Sequence, residues 1–131
     1  MASIDLTQET FDREVLESEQ PVIVEFWAPW CGPCHAVAPV LEQIARERRG
    51  ELKLVKVDVA EEPELAARFA LASIPTIVLF EDGAPVAQAV GALRKPQLER
   101  ALGLTAPSEH GRTAESGGLK RLVTRLAGRR S

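Results

Sequence analysis

Two segments of the chain are apolar at almost every position: Val22-Ile23-Val24-Glu25-Phe26-Trp27 and Thr76-Ile77-Val78-Leu79-Phe80. Short, nearly continuous runs of β-branched and aromatic residues predict strands buried on both faces. Leu52 to Val59 predicts a third strand, interrupted by Lys53 and Lys56. Ile4-Asp5-Leu6 predicts a short edge strand, and Pro85 to Val90 a last one. Between the strands the period lengthens. Phe11, Val15 and Leu16 share one face of a helix that Thr7 can cap and that runs through Glu17. Val37, Val40, Leu41, Ile44 and Ala45 share one face of a longer helix opening near Cys34. Pro39 should kink it, because proline removes an amide donor and crowds the preceding turn. Arg48-Arg49-Gly50 puts cations and a glycine at its end. Glu61 to Ala70 and Arg94 to Leu104 predict two shorter helices. Glu81-Asp82-Gly83-Ala84 predicts a hairpin turn, since Asp-Gly accepts positive φ angles.

The resulting order is β-α-β-α-β-α-β-β-α. It implies a parallel core with right-handed crossovers, to which the closing hairpin adds an antiparallel edge. The expected fold class is α/β, a three-layer α/β/α sandwich around a mixed five-stranded sheet, spanning residues 1–104. Residues 105–118 are rich in Ser, Thr, Gly and Pro and predict a flexible linker. Leu119, Leu122, Val123 and Leu126 then fall at i, i+3, i+4 and i+7. Residues 119–131 therefore form a basic amphipathic tail, at most a short helix.

Composition fits a soluble single domain: 131 residues, 45% apolar and 27% charged. No apolar run approaches the ~20 residues of a membrane span. The first residues lack a basic n-region and an apolar stretch, so no export signal and a cytoplasmic chain are expected. The net charge of −3 hides an asymmetry. Residues 105–131 carry six Lys/Arg and two acids, so the body is acidic and the tail basic. Such a tail can be a solvated extension, dock on its own body, or reach an anionic membrane or a protein partner. No aromatic residue interleaves its cations, so nucleic acid is not expected.

The chemistry centres on two cysteines, Cys31 and Cys34, placed where a buried strand turns into a helix. A helix N-terminus offers free amides and positive dipole charge, which favour a thiolate at Cys31. Cys34 lies one turn on, close enough to attack a mixed disulfide formed at Cys31. Zinc would need four ligands, and the chain offers only Cys31, Cys34, His35 and a distant His110. Cys31-Gly32-Pro33-Cys34-His35 also fits the haem-attachment pattern. Its context does not: the pattern follows a buried strand, and Met1 is the only methionine.

The stretch Trp27-Ala28-Pro29-Trp30-Cys31-Gly32-Pro33-Cys34 resembles the active site of the thioredoxin family. Pro39, Ile74-Pro75-Thr76, Asp82-Gly83 and Gly91-Ala92 extend the likeness, in unbroken order over about residues 3–104. The resemblance implies a protein-disulfide reductase of cytosolic redox homeostasis, with a redox-active Cys31–Cys34 disulfide. Cys31 would be the nucleophile and Cys34 the resolving thiol. Pro75 would be cis, leaving the Ile74 backbone free to pair with a substrate chain. Trp30, Gly32, Pro33, Ile74, Gly91 and Ala92 would form the substrate groove. Glu25 stands where the family usually has an aspartate and would accept the Cys34 proton, with Lys56 as its partner. His35 stands where lysine or arginine is more usual, which would change the local field modestly. The resemblance further implies no bound cofactor and no metal. Electrons would come from NADPH through a thioredoxin reductase, oxidised proteins would be the substrates, and the chain would be a monomer. An oxidant or isomerase built on the same motif is the alternative enzyme. A groove that holds partners regardless of redox state is the alternative outside catalysis.

Overall fold

The computed structural model describes residues 3–104. The expected linker over 105–118 and tail over 119–131 lie outside the described residues. The elements are β1 (Ser3–Asp5), α1 (Gln8–Phe11), β2 (Val22–Trp27), α2 (Gly32–Glu47), β3 (Lys53–Asp58), α3 (Pro63–Arg68), β4 (Thr76–Glu81), β5 (Ala84–Val90) and α4 (Lys95–Ala101).

Local chemistry explains most of the boundaries. Thr7 caps α1: its hydroxyl accepts from the Thr10 amide at 3.3 Å, and Thr10 Oγ1 accepts from the Thr7 amide at 3.1 Å. The single helix expected here is instead one α-turn continued by a π-helical turn, Asp12–Leu16. The widened turn still buries Phe11 and Val15 together. Helix α2 begins two residues before the expected Cys34, with Pro33 in its first turn, where the missing amide costs nothing. It continues through Pro39 to Glu47. Gly50 follows with a φ of 86°, in the left-handed region that favours glycine. The hairpin between β4 and β5 places Asp82 at φ 52° and Gly83 at φ 79°, as its Asp-Gly pair predicts.

The sheet order is β1-β3-β2-β4-β5. Strands β1 and β2 flank β3 in parallel, with Ile4 opposite Val55 and Glu25 opposite Lys56. The expected parallel core needs one correction. Strand β4 pairs with β2 antiparallel, with Phe26 opposite Thr76, and β5 pairs with β4 antiparallel, with Thr76 opposite Val90. The chain leaving α3 runs on through residues 69–75 and enters β4 at the end of the sheet where β2 leaves it. This reversal brings the end of β2, the start of β4 and the end of β5 to one rim.

Helices cover both faces. On one face Val37, Leu41 and Ile44 of α2 and Leu98 of α4 pack on Ile23, Leu54 and Ile77. On the other, Phe11 of α1 and Leu65 of α3 pack on Val24, Phe26 and Phe80. Each such side chain contributes about 1.5–3 kcal/mol by leaving water. Phe69 adds tilted and edge-on contacts to Phe11, Phe26 and Phe80, with centroids 5.3 to 5.9 Å apart. Arg48, buried at the end of α2, donates to Glu99 of α4 at 3.1 Å and ties these helices together.

Candidate functional site

The rim shared by β2, β4 and β5 carries the cysteines. After Trp27 the chain turns, and the Cys31 amide donates to the Ala28 carbonyl at 3.1 Å. Cys31 then adopts an extended conformation as the N-cap of α2. Its Sγ accepts from the Cys34 amide at 3.2 Å. Cys31 and Cys34 form a disulfide, with Cα atoms 5.3 Å apart. Both are buried, Cys31 5% exposed and Cys34 1%, so Cys31 is the more accessible of the two. A helix N-terminus that already donates to a sulfur would also hold a thiolate there, through the same amide and the dipole.

The other two rim segments lie beside this turn. The Ile74–Pro75 peptide bond is cis. Ile74 packs on the small cluster formed by Ala28, Cys31 and Cys34, and half-buried Trp27 borders it. The Pro75 carbonyl accepts from the Gly91 amide at 3.0 Å, which joins the third segment to the second. Thr76 Oγ1 donates to the Ser73 carbonyl at 2.6 Å and anchors the entry to β4. Trp30 stands 74% exposed at the edge of the disulfide turn, and Gly32, Pro33 and Ala92 are also exposed. Trp30, the disulfide, Ile74, Pro75 and Gly91 thus belong to one end of the molecule.

Glu25 lies beneath this rim, in the middle of β2. It is 1% exposed, and neither carboxylate oxygen has a hydrogen-bond partner among the described residues. Burial pushes its pKa up to about 7. The charges of Lys56 and His35 oppose that rise, and Glu42 adds to it. Lys56 faces Glu25 in the β2–β3 register, but no hydrogen bond joins them. Its ammonium lies instead over the Trp27 ring, 4.6 Å from the centroid. The expected pairing is therefore a matter of field and not of contact.

Residues the sequence singled out for charge alone also have structural contacts. His35 Nε2 lies 2.7 Å from the Pro29 carbonyl oxygen, and its ring meets Trp27 edge-on at 5.8 Å. The buried Arg48–Glu99 bond carried no signal beyond the basic end of a helix. Among the described residues no group of three or more His, Cys, Asp or Glu is placed to hold a metal ion. Among them, too, no helix is long and apolar enough to cross a membrane.

Comparison with known proteins agrees with this geometry. A family model described as thioredoxin matches residues 2–103. The thioredoxin of Mycobacterium tuberculosis is 50% identical over 107 residues, which cover 82% of this chain and 92% of that one. Thioredoxin 1 of a Nostoc species is 46% identical over 101 residues, covering 77% and 94%. A bifunctional thioredoxin reductase/thioredoxin of Mycobacterium leprae is 49% identical over 106 residues, covering 81% of this chain and 23% of that protein.

Proposed function

The chain belongs to the thioredoxin family and exchanges dithiols for disulfides through Cys31 and Cys34; from that premise we propose a protein-disulfide reductase in which Cys31 attacks, Cys34 resolves and Glu25 moves the proton. The observation that carries this reading is the capped sulfur: Cys31 Sγ accepts the Cys34 amide at the mouth of α2, beside an exposed Trp30.

In the reduced protein the Cys31 thiolate attacks one sulfur of a substrate disulfide. That S–S bond breaks, and the other substrate sulfur leaves as a thiolate that takes a proton from water. Cys34 gives its proton to Glu25 and attacks Cys31 Sγ. The mixed disulfide breaks, the Cys31–Cys34 bond forms, and the second substrate sulfur leaves as a thiolate that takes a proton from water. Two electrons pass from the dithiol to the substrate. Because both thiols sit on one turn of one helix, the second attack is effectively unimolecular.

The groove of Trp30, Gly32, Pro33, Ile74, Gly91 and Ala92 would hold the substrate chain, with the Ile74 backbone as its pairing edge. An extended segment laid there gains backbone hydrogen bonds without a side-chain requirement, which suits many protein substrates. The family needs no bound cofactor. Renewed electrons would come from NADPH through a thioredoxin reductase. The fused reductase/thioredoxin relative supports that partnership. A dithiol donor needs a reducing supply, so the cytoplasm is the proposed compartment, with the chain acting as a monomer.

Cys34→Ser tests the order of attack. The variant should accumulate mixed disulfides on Cys31 when exposed to oxidised proteins of a cell extract. Adducts on neither residue, or a Cys31→Ser variant that traps equally well, would contradict it.

A further inference from the structure

His35 touches three parts of the active-site turn at once. Its backbone amide donates to the Cys31 carbonyl at 3.3 Å, the first hydrogen bond of α2. Its Nε2 lies 2.7 Å from the Pro29 carbonyl oxygen, on the outer limb of the turn. Its ring meets Trp27, the last residue of β2, at an interplanar angle of 75°. These contacts span the end of the strand, the turn and the start of the helix. Cys31 lies at their centre.

We propose that His35 is a positioning residue of the redox site, whose side chain ties the Pro29–Trp30 limb to the first turn of α2 and so keeps the Cys31 sulfur on its amide cap. The inference rests on the reductase reading only for its effect on turnover. A carbonyl oxygen can only accept, so Nε2 carries the hydrogen. The neutral Nε2–H ring and the imidazolium both meet that requirement. The tether's action therefore does not need a charge. A flexible lysine would bring a charge to this position. The imidazole brings a short, directed donor that is itself braced against Trp27.

Among the described residues the turn has few other hydrogen bonds. Pro29 has no amide of its own, and the turn is closed by the Cys31 amide on the Ala28 carbonyl. Pro29 and Trp30 are both exposed, so packing does not fix that limb. Removing the ring would free the limb, let Cys31 drift from the Cys34 amide, and weaken the stabilisation of its thiolate.

The test uses the full-length reduced chain. The first readout is the alkylation rate of Cys31 by iodoacetamide at pH 7, with the modified residue identified by mass spectrometry. The second is the reduction rate of a peptide disulfide. His35→Ala should slow both by about fivefold, the scale of one lost hydrogen bond. His35→Gln, which places an amide N–H at a similar reach without a titratable group, should restore both to within about twofold on the same scale. A His35→Ala protein alkylated at the wild-type rate would overturn the proposal. So would a His35→Gln protein as slow as His35→Ala. A lowered Tm in His35→Ala with unchanged alkylation would also overturn it, reducing the residue to a structural role. A wild-type protein that is alkylated rapidly at Cys31 yet reduces no disulfide would sink the reductase reading and leave the tether standing.

Discussion

Glu25 and Lys56 stand opposite each other on neighbouring parallel strands, yet no hydrogen bond joins them, and the Lys56 ammonium rests over Trp27. Among the described residues the carboxyl is thus buried without a direct donor. Desolvation outweighs the opposing influence of Lys56 and His35, and its pKa is pushed up to about 7. A group poised there can take a proton at neutral pH and release it again, as the proposed resolving step requires.

The same burial makes stability depend on pH. Glu25 titrates near 7 in the folded chain and near 4.5 when unfolded. Below both values the residue is protonated in either state and has no charge to desolvate. As pH rises between them, the unfolded chain loses the proton first, so this group's contribution to stability falls. Above about 7 the loss is complete, at roughly 3 kcal/mol. Glu25→Gln should remove that slope. Urea unfolding of the oxidised protein at pH 4 and pH 8 checks it: the variant should gain on the wild type only at pH 8. An equal difference at both values would contradict the assignment.

Trp30 is exposed and belongs to no core cluster, so Trp30→Ala should change stability by no more than about 0.5 kcal/mol. If its indole lines the substrate groove, KM for a protein disulfide should rise roughly tenfold, the scale of truncating an interface aromatic. Reaction of the free dithiol with a small reagent should be unaffected. A variant with unchanged KM would remove Trp30 from the groove.

Gly83 combines two constraints. Its φ is 79°, and a Cβ there would lie 2.8 Å from the Leu16 carbonyl oxygen. Gly83→Ala should therefore cost about 2 kcal/mol or more, seen as a lower urea midpoint at constant m-value. The reduction potential should not move, because the hairpin is at the opposite end of β4 from Thr76. A midpoint within error of the wild type would mean that the turn relaxes freely.

The strands were legible because their composition admits little else: Val22 to Trp27 and Thr76 to Phe80 cannot be solvent-facing. The Asp82-Gly83 hairpin was legible from backbone sterics alone. The direction of β4 was not, because the chain between α3 and β4 reverses through contacts distant in sequence. The π-helical turn after Phe11 also left no mark in the apolar spacing. At the site, the cysteine pair and the proline before β4 stood out by type and order. The Lys56 side chain did not declare its place, since facing Glu25 in register says nothing of where a long flexible chain ends. His35 read as a charge and has the contacts of a strut, because a hydrogen bond to a backbone carbonyl leaves no pattern in the sequence.

The most direct measurement is the reduction potential of the Cys31–Cys34 couple, by equilibration against defined glutathione mixtures. A dithiol built to donate electrons to protein disulfides should settle well below the glutathione couple, leaving the pair almost wholly oxidised in mildly reducing mixtures. A potential near or above that couple would contradict the account, because the disulfide would then be a net acceptor and the protein an oxidant or isomerase.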